Sequence, residues 1–521
     1  MNCFRTCLLT LLMATCLFTA APVTALTVEP PAASPDAPKR FSFADVRRRA
    51  ETLAASPFAA PSEELPAGLK DLNFEQYWDI RYRPEKSLWR DEGLSFEVQF
   101  FPRGFIFAKQ VTINIVDAGE VKPVAFSNEL FDFGRNKAPE NPPAELGFAG
   151  FRLLYPLNKD SNFDEFAVFL GASYFRAVGQ NQVQGLSARG LAINTGLTSS
   201  PEEFPVFREF WIVKPDKDAT ELTVYALLDS ASVTGAYRFI IHPGRATAME
   251  VKTNLFMRKA VEKMGIAPLT SMYLSGENME VRFDDVRPEV HDSDGLLLNT
   301  GTGEWIWRPL SNPPKLNISS FQDTNPHGFG LQQRDQNFDH YQDLITNYEK
   351  RPGAWVEPIG DWSKGVVQLV EIPSDSQKYD NMVTFWVPDK TTDAGQELDY
   401  EYRLFFETDD PGRPPAGKTL STRIGAGGTI DRIEPSIRRF VLDFGGKTLE
   451  TLAPEAPVEA VVNTSSGKIR NITVQKNGIT NGRRVTFELV PDDRNPAELR
   501  TFLKSQENVL TETWSYHWEP R

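Results

Sequence analysis

Residues 207–243 read FREFWIVKPDKDATELTVYALLDSASVTGAYRFIIHP. Three runs within this stretch, FREFWIVKP (207–215), ELTVYALLD (221–229) and AYRFIIHP (236–243), are short and rich in aromatic and β-branched residues. Apolar residues alternate imperfectly along each run, as they do in a strand that buries one face. The same signature recurs before them in LSFEVQFF (94–101), VTINIVDA (111–118) and EFAVFLGA (165–172). It continues after them in VVQLVEIP (366–373), MVTFWVP (382–388) and LDYEYRLFF (398–406). Gly, Pro, Asn or Asp punctuates the runs, and no repeat of 20–50 residues appears, which disfavours propellers and solenoids. One short helix precedes the strands: Phe43, Val46, Ala50 and Leu53 recur at helical spacing, with Ser42 placed as the N-cap.

The stretch ETDDPGRPPAGK (407–418) holds three prolines and two glycines and reads as a boundary. Beyond it, RRFVLDFGG (438–446), VEAVVNTS (458–465), IRNITVQKN (469–477), GRRVTFELVP (482–491) and ETWSYHWE (512–519) are again strand-like. Their number and rhythm match an immunoglobulin-like sandwich of ~100 residues. The expected fold is therefore all-β. A large N-terminal β-sandwich covers 42–406, a linker 407–415, and a smaller immunoglobulin-like β-sandwich 416–521.

The first 25 residues read as an export signal. Arg5 is their only charge, an apolar run extends from Leu8 to Phe18, and Val23-Thr24-Ala25 offers small residues at the cleavage position. The apolar run is about half of the ~20 residues that a membrane span needs, and no later stretch is long and apolar enough to cross a bilayer. Residues 26–41, rich in Pro and Ala, read as a tether. All three cysteines (Cys3, Cys7 and Cys16) fall inside the signal, so the exported chain is expected to contain neither disulfides nor a cysteine nucleophile nor zinc–thiolate sites. The net charge of −14 and the absence of a basic block argue against a nucleic-acid partner. A neutral glycan would not be repelled.

Familiar catalytic signatures are missing. There is no P-loop, no HExxH and no strand followed by GxGxxG. GASYF (171–175) and GLSARG (185–190) lack the glycine two residues after the serine that a nucleophile elbow requires. His291, His327 and His340 show no ligand-spaced pair, and HDSDG (291–295) lacks the closing Glu of a calcium loop; neither a metal nor a cofactor is expected. The informative region is 287–388, where RPEVHDSDG, GEWIWRPL, FDHYQDL, RPGAWVEPIGDW and KYDNMVTFW interleave acids with Trp, Tyr and Arg. Aromatic faces stack on sugar rings, guanidinium groups bond hydroxyls, and paired carboxylates perform glycoside hydrolysis, about 6.5–9.5 Å apart in inverting enzymes. Tyr174, Arg176, Arg189, Trp305, Trp307, Arg308, Tyr341, Trp355 and Trp362 are the candidate cleft residues. Core packing or a structural ion pair is the competing reading for each of them.

Several long blocks carry a resemblance. LGFAGFRLLYP (146–156), LGASYFRAVG (170–179), EEFPVFREFWI (202–212), YALLDSASVTGAYRF (225–239), GEWIWRPLSNP (303–313), NPHGFGLQQRDQNFDHYQD (325–343) and ETWSY (512–516) resemble the periplasmic glucan biosynthesis proteins G and D, the MdoG family. The resemblance implies a periplasmic role in making osmoregulated glucans with a β-1,2-linked backbone. It also implies that Asp380, in the block Tyr379-Asp380-Asn381-Met382-Val383, is the general acid of an inverting β-1,2-glucanase, or of a transglycosylase. Asp292, after His291, is implied as the base, acting through waters and a substrate hydroxyl. An ordinary export signal resembles protein G, whereas the DSDG loop, FDHYQD and TRIGAGG (422–428) resemble protein D. The alternative is a non-catalytic protein that binds or assembles glucan, with the inner-membrane glucan synthase as its partner.

Overall fold

In a computed structural model, the described residues are 40–521, apart from 280–282, 391, 409, 411, 454, 493, 494 and 521. The export signal expected over 1–25 and nearly all of the tether expected over 26–41 lie outside them. The three runs within 207–243 form neighbouring antiparallel strands, Val206–Val213, Leu222–Asp229 and Val233–His242. Trp211 lies opposite Tyr225, and Tyr225 opposite Arg238. Thr247–Met257 and Glu397–Glu407 extend the same sheet, which reaches fifteen strands among the described residues. A second sheet of ten strands contains Gly150–Lys159, Asn162–Leu170, Tyr174–Ala177, Ser187–Arg189, Met264–Ser271, Met382–Pro388 and Lys364–Glu371.

The chain's phenylalanines account for how the two sheets meet. Phe151 and Phe169 stack at 4.9 Å on one sheet; across the core, Phe169 meets Phe210 at 5.5 Å and Phe239 at 5.3 Å, both edge to face. Aromatic rings in these geometries stabilise the core beyond the area they bury. The result is an all-β sandwich. The expected helix is Phe43–Ala54, closed at its start by Asp45, which accepts from the Ser42 N–H and hydroxyl at 2.9 Å. Its Val46 and Ala50 cover Trp211, Leu227 and Ala236 on the outer face of the large sheet.

The C-terminal strands do not stand apart from this sandwich. Lys418–Gly428, Ile433–Gly445, Gly482–Val490 and Lys468–Asn477 form a four-stranded sheet of their own. Glu459–Thr464, Ala497–Ser505 and Thr513–Trp518 instead join the fifteen-stranded sheet, because Thr513–Trp518 pairs in parallel with Trp305–Pro309. Phe440, Phe487 and Trp514 share one apolar core with Trp307 and Trp355 from the first part of the chain. From Arg40 onward the chain is a single compact unit, and the two runs of strands on either side of the segment 407–415 share the fifteen-stranded sheet. Edge-strand pairing satisfies backbone groups that would otherwise be open, and it leaves no mark in local sequence. No helix among the described residues is long and apolar enough to cross a membrane.

Candidate functional site

Three residues at the end of the strand Met264–Ser271 organise the site. The Asn381 N–H donates to the Ser271 carbonyl at 3.0 Å; its side-chain oxygen accepts from the Tyr273 N–H at 2.8 Å, and its amide nitrogen donates to the carbonyls of Tyr273 and Ile372, each at 3.0 Å. With all these bonds made, Asn381 is buried and fixes Asp380 at the entrance of the strand Met382–Pro388. On the other side, the Asp292 N–H donates to the Met272 carbonyl at 2.8 Å, and the Ser271 and Ser293 hydroxyls meet at 2.8 Å. Asp380 and Asp292, 88 positions apart in sequence, thus both hang from the segment 271–273.

Their surroundings differ. Asp292 is 5% exposed and accepts a hydrogen bond from the Arg351 guanidinium. Burial pushes its carboxyl up to about 6; Arg351 opposes the rise and the charge of Asp380 adds to it. Asp380 is open to solvent, yet protein crowds it on several sides. Desolvation raises its pKa against the pull of Arg176, a hydrogen bond with Thr270, and Arg351. Arg351 therefore acts on both acids, and its own Nε has no hydrogen-bond partner among the described residues. Its guanidinium lies 4.4 Å from the centre of the Tyr348 ring.

Tyr174, Arg176 and Arg189 come to the same place. Tyr174 and Arg189 sit opposite each other on the paired strands Tyr174–Ala177 and Ser187–Arg189. The buried Arg189 guanidinium covers the Tyr174 ring at 5.3 Å and the Phe204 ring at 4.7 Å, and its Nη1 donates to Glu202 at 3.0 Å. Burial raises the Tyr174 hydroxyl pKa, Arg189 lowers it, and Asp380 adds a further rise. One carboxyl that is reachable, its pKa raised by desolvation, now lies near another that is enclosed, raised by burial and paired with arginine.

The remaining candidate cleft residues are corrected by their burial. Trp307 and Trp355 lie inside the C-terminal core, and Trp305 is half-buried with its ring stacked on Trp355 at 5.7 Å. Trp362 packs among Trp386, Tyr400 and Tyr402 and donates to the Glu401 carbonyl. Arg308 is fully buried, paired with Glu371 at 3.2 Å, and Tyr341 is fully buried, donating to the Asp335 carbonyl at 3.0 Å. These five side chains are buried among the protein's own groups, because the core of a sandwich this wide consumes large rings. Conversely, Arg351 and Asn381 escaped notice. Both lie in stretches already singled out, Arg351 directly before Pro352 and Asn381 directly after Asp380, but neither residue type stands out beside tryptophans.

Behind Asp292 lies a second cluster of titratable groups. The His291 ring donates from Nε2 to Glu289 at 3.0 Å and from Nδ1 to Gln333 at 3.1 Å, and Asp294 stands 3.6 Å away. Burial pulls its pKa down, but Asp294, Glu289 and Asp335 together outweigh burial and hold it at about 9. Glu289, Asp335 and His340 are the residues whose ligand atoms, within 4.8 Å of one another, could take a metal ion; His340 and Asp335 already form an ion pair. A groove of about 1290 Å³ is lined by Asp380 and Tyr379 together with Pro313, Lys315, Ile424, Tyr516 and Trp518.

Comparison with known proteins agrees on one family. The family model "Periplasmic glucan biosynthesis protein, MdoG" matches residues 41–518. Glucans biosynthesis protein G of Ralstonia nicotianae is 48% identical over 492 residues, covering 93% of this chain and 97% of the relative. Probable glucans biosynthesis protein D of Shewanella oneidensis is 45% identical over 486 residues, with 92% and 89% covered. Glucans biosynthesis protein G of Bradyrhizobium diazoefficiens is 46% identical over 480 residues, with 92% and 94% covered.

Proposed function

The chain belongs to the MdoG family of periplasmic glucan biosynthesis proteins, and we propose that within that process it cuts the β-1,2-linked glucan backbone by inverting hydrolysis. The observation that carries the reading is the tethering of Asp380 and Asp292 to one three-residue segment in unlike environments. Asp380, open to solvent and biased toward its protonated form, delivers a proton to the glycosidic oxygen as the bond to the anomeric carbon breaks. Asp292, titrating near 6, is mostly ionised at neutral pH and takes the proton from the attacking water. Arg351 holds the Asp292 carboxylate in place, and the donors of Arg176 and Tyr174 beside Asp380 supply hydrogen bonds to sugar hydroxyls.

Purified protein is incubated with linear β-1,2-glucan, and the products are followed by chromatography and by NMR of the new anomeric centre. The expected result is shorter chains released with inverted configuration. Asp380→Asn and Asp292→Asn retain glucan binding but release at least about a hundredfold less, the scale on which general acids and bases contribute. If wild-type protein binds glucan and never shortens it, the protein is a binding or assembly factor. If both variants cut at the wild-type rate, the two aspartates are not the catalytic pair.

A further inference from the structure

We infer that the groove leading from Asp380 to the C-terminal strand receives the glucan units on the leaving-group side of the bond that is cut, with Tyr379 as their stacking platform. This inference rests on the hydrolytic reading above and adds a direction to it. A general acid stands on the leaving-group side of the linkage, whereas in an inverting reaction the base and its water stand on the opposite face of the sugar. Asp380 lines the groove; Asp292, Arg351 and Tyr174 do not. Asp380 is therefore the member of the pair that faces the groove, whose lining includes neither the base nor its arginine.

The groove's dimensions and lining fit a polymer arm. Its volume of about 1290 Å³ exceeds the ~300–1,000 Å³ of pockets that enclose one drug-sized ligand, so it has room for several sugar units. Tyr379 is 65% exposed at the end nearest Asp380, and its ring packs against no other aromatic ring among the described residues. Phe283 and Ile424 offer further apolar surface, and Lys315 spans toward Glu519 at 3.6 Å. By contrast, Asn278 and Asn312 have their amides committed to backbone carbonyls, which makes them walls and leaves the ring faces as the recognition elements. An exposed aromatic ring beside an acid suits the C–H face of a pyranose. The C-terminal strand thereby becomes part of the cleft.

The test uses the full-length exported chain and β-1,2-linked oligosaccharides of increasing length, labelled at the reducing end so that leaving-group units are counted in each product. Wild type is expected to cut faster as units are added on the labelled side, up to the capacity of the groove. Tyr379→Ala is expected to raise KM for long substrates by roughly two- to tenfold, the range of one lost aromatic contact, while Tyr379→Phe keeps the wild-type value. The rise in KM should be smaller on the shortest substrate that is cut than on the long ones. If Tyr379→Ala retains the length dependence of wild type, or loses rate equally on all lengths, the assignment of the groove is overturned while the hydrolytic reading stands. If wild type cuts no oligosaccharide, the hydrolytic reading fails first and this inference fails with it.

Discussion

Arg351 donates to Asp292 from directly before Pro352, and its charge also reaches Asp380. A single cation thus biases both acids toward their ionised forms, against the burial that pushes them toward protonation. Removing it leaves an enclosed carboxylate without its partner. Arg351→Ala is expected to lower kcat/KM by about a hundredfold through loss of positioning. It should also move the acidic limb of the pH profile upward, since the group that lowers the Asp292 pKa is gone. A variant that is slow but keeps the wild-type limb would mean that Arg351 positions substrate and not Asp292.

The wild-type pH profile itself follows from the two environments. Asp292 must be ionised to act as a base, so activity rises with pH through about 6. Asp380 must be protonated to act as an acid, and its raised pKa carries the descending limb above the ordinary carboxylate range. Measurement of kcat/KM from pH 4 to 9 should give a bell. Asp292→Asn should abolish its ascending limb in whatever activity remains. A profile flat across pH 5–7 would remove Asp292 from the base role.

Much of this architecture was legible because strands announce themselves locally. The runs 207–215, 221–229 and 236–243 each become a strand within three residues of their reading, and the helix after Ser42 begins where its cap placed it. The C-terminal boundary was legible only as a turn-rich stretch. Whether Thr513–Trp518 pairs with its own neighbours alone or also with Trp305–Pro309 is a matter of backbone geometry, not of side-chain pattern. The site divides the same way. Asp380, Asp292, Tyr174, Arg176 and Arg189 converge, whereas the tryptophans of 305–362 turn inward, because a large ring serves a core and a sugar equally well and composition does not choose between them.

That distinction can be measured. Trp355 is 2% exposed, stacks on Trp305 and receives the Arg413 guanidinium at 5.5 Å. Trp355→Ala is expected to cost about 3–5 kcal/mol of stability, as other large-to-small changes of buried aromatic residues do. Per folded molecule, glucan cleavage should stay within about twofold of wild type. Denaturant titration and activity per folded protein are measured on the same preparation. Stability near wild type together with a raised KM for glucan would return Trp355 to the cleft.

His291 provides a stability test that is independent of any substrate. Its folded pKa of about 9 exceeds the ordinary 6.5 because Glu289, Asp294 and Asp335 outweigh its burial. The stability it contributes is fully present below pH 6.5 and is lost as pH rises through about 9, by up to about 3 kcal/mol. Glu277, whose carboxyl is pushed up to about 8 by burial, acts in the same direction: its folded form also holds a proton that the unfolded chain releases. Wild-type protein should therefore lose stability steadily from pH 6.5 to 9 in denaturant titrations. His291→Asn should be less stable at pH 6.5 and show a shallower decline, with the residual slope belonging to Glu277 and to His517, whose pKa its hydrogen bond to Glu498 raises. Equal slopes in the two proteins would mean that His291 is neutral in the fold and that the acids behind Asp292 are balanced by other cations.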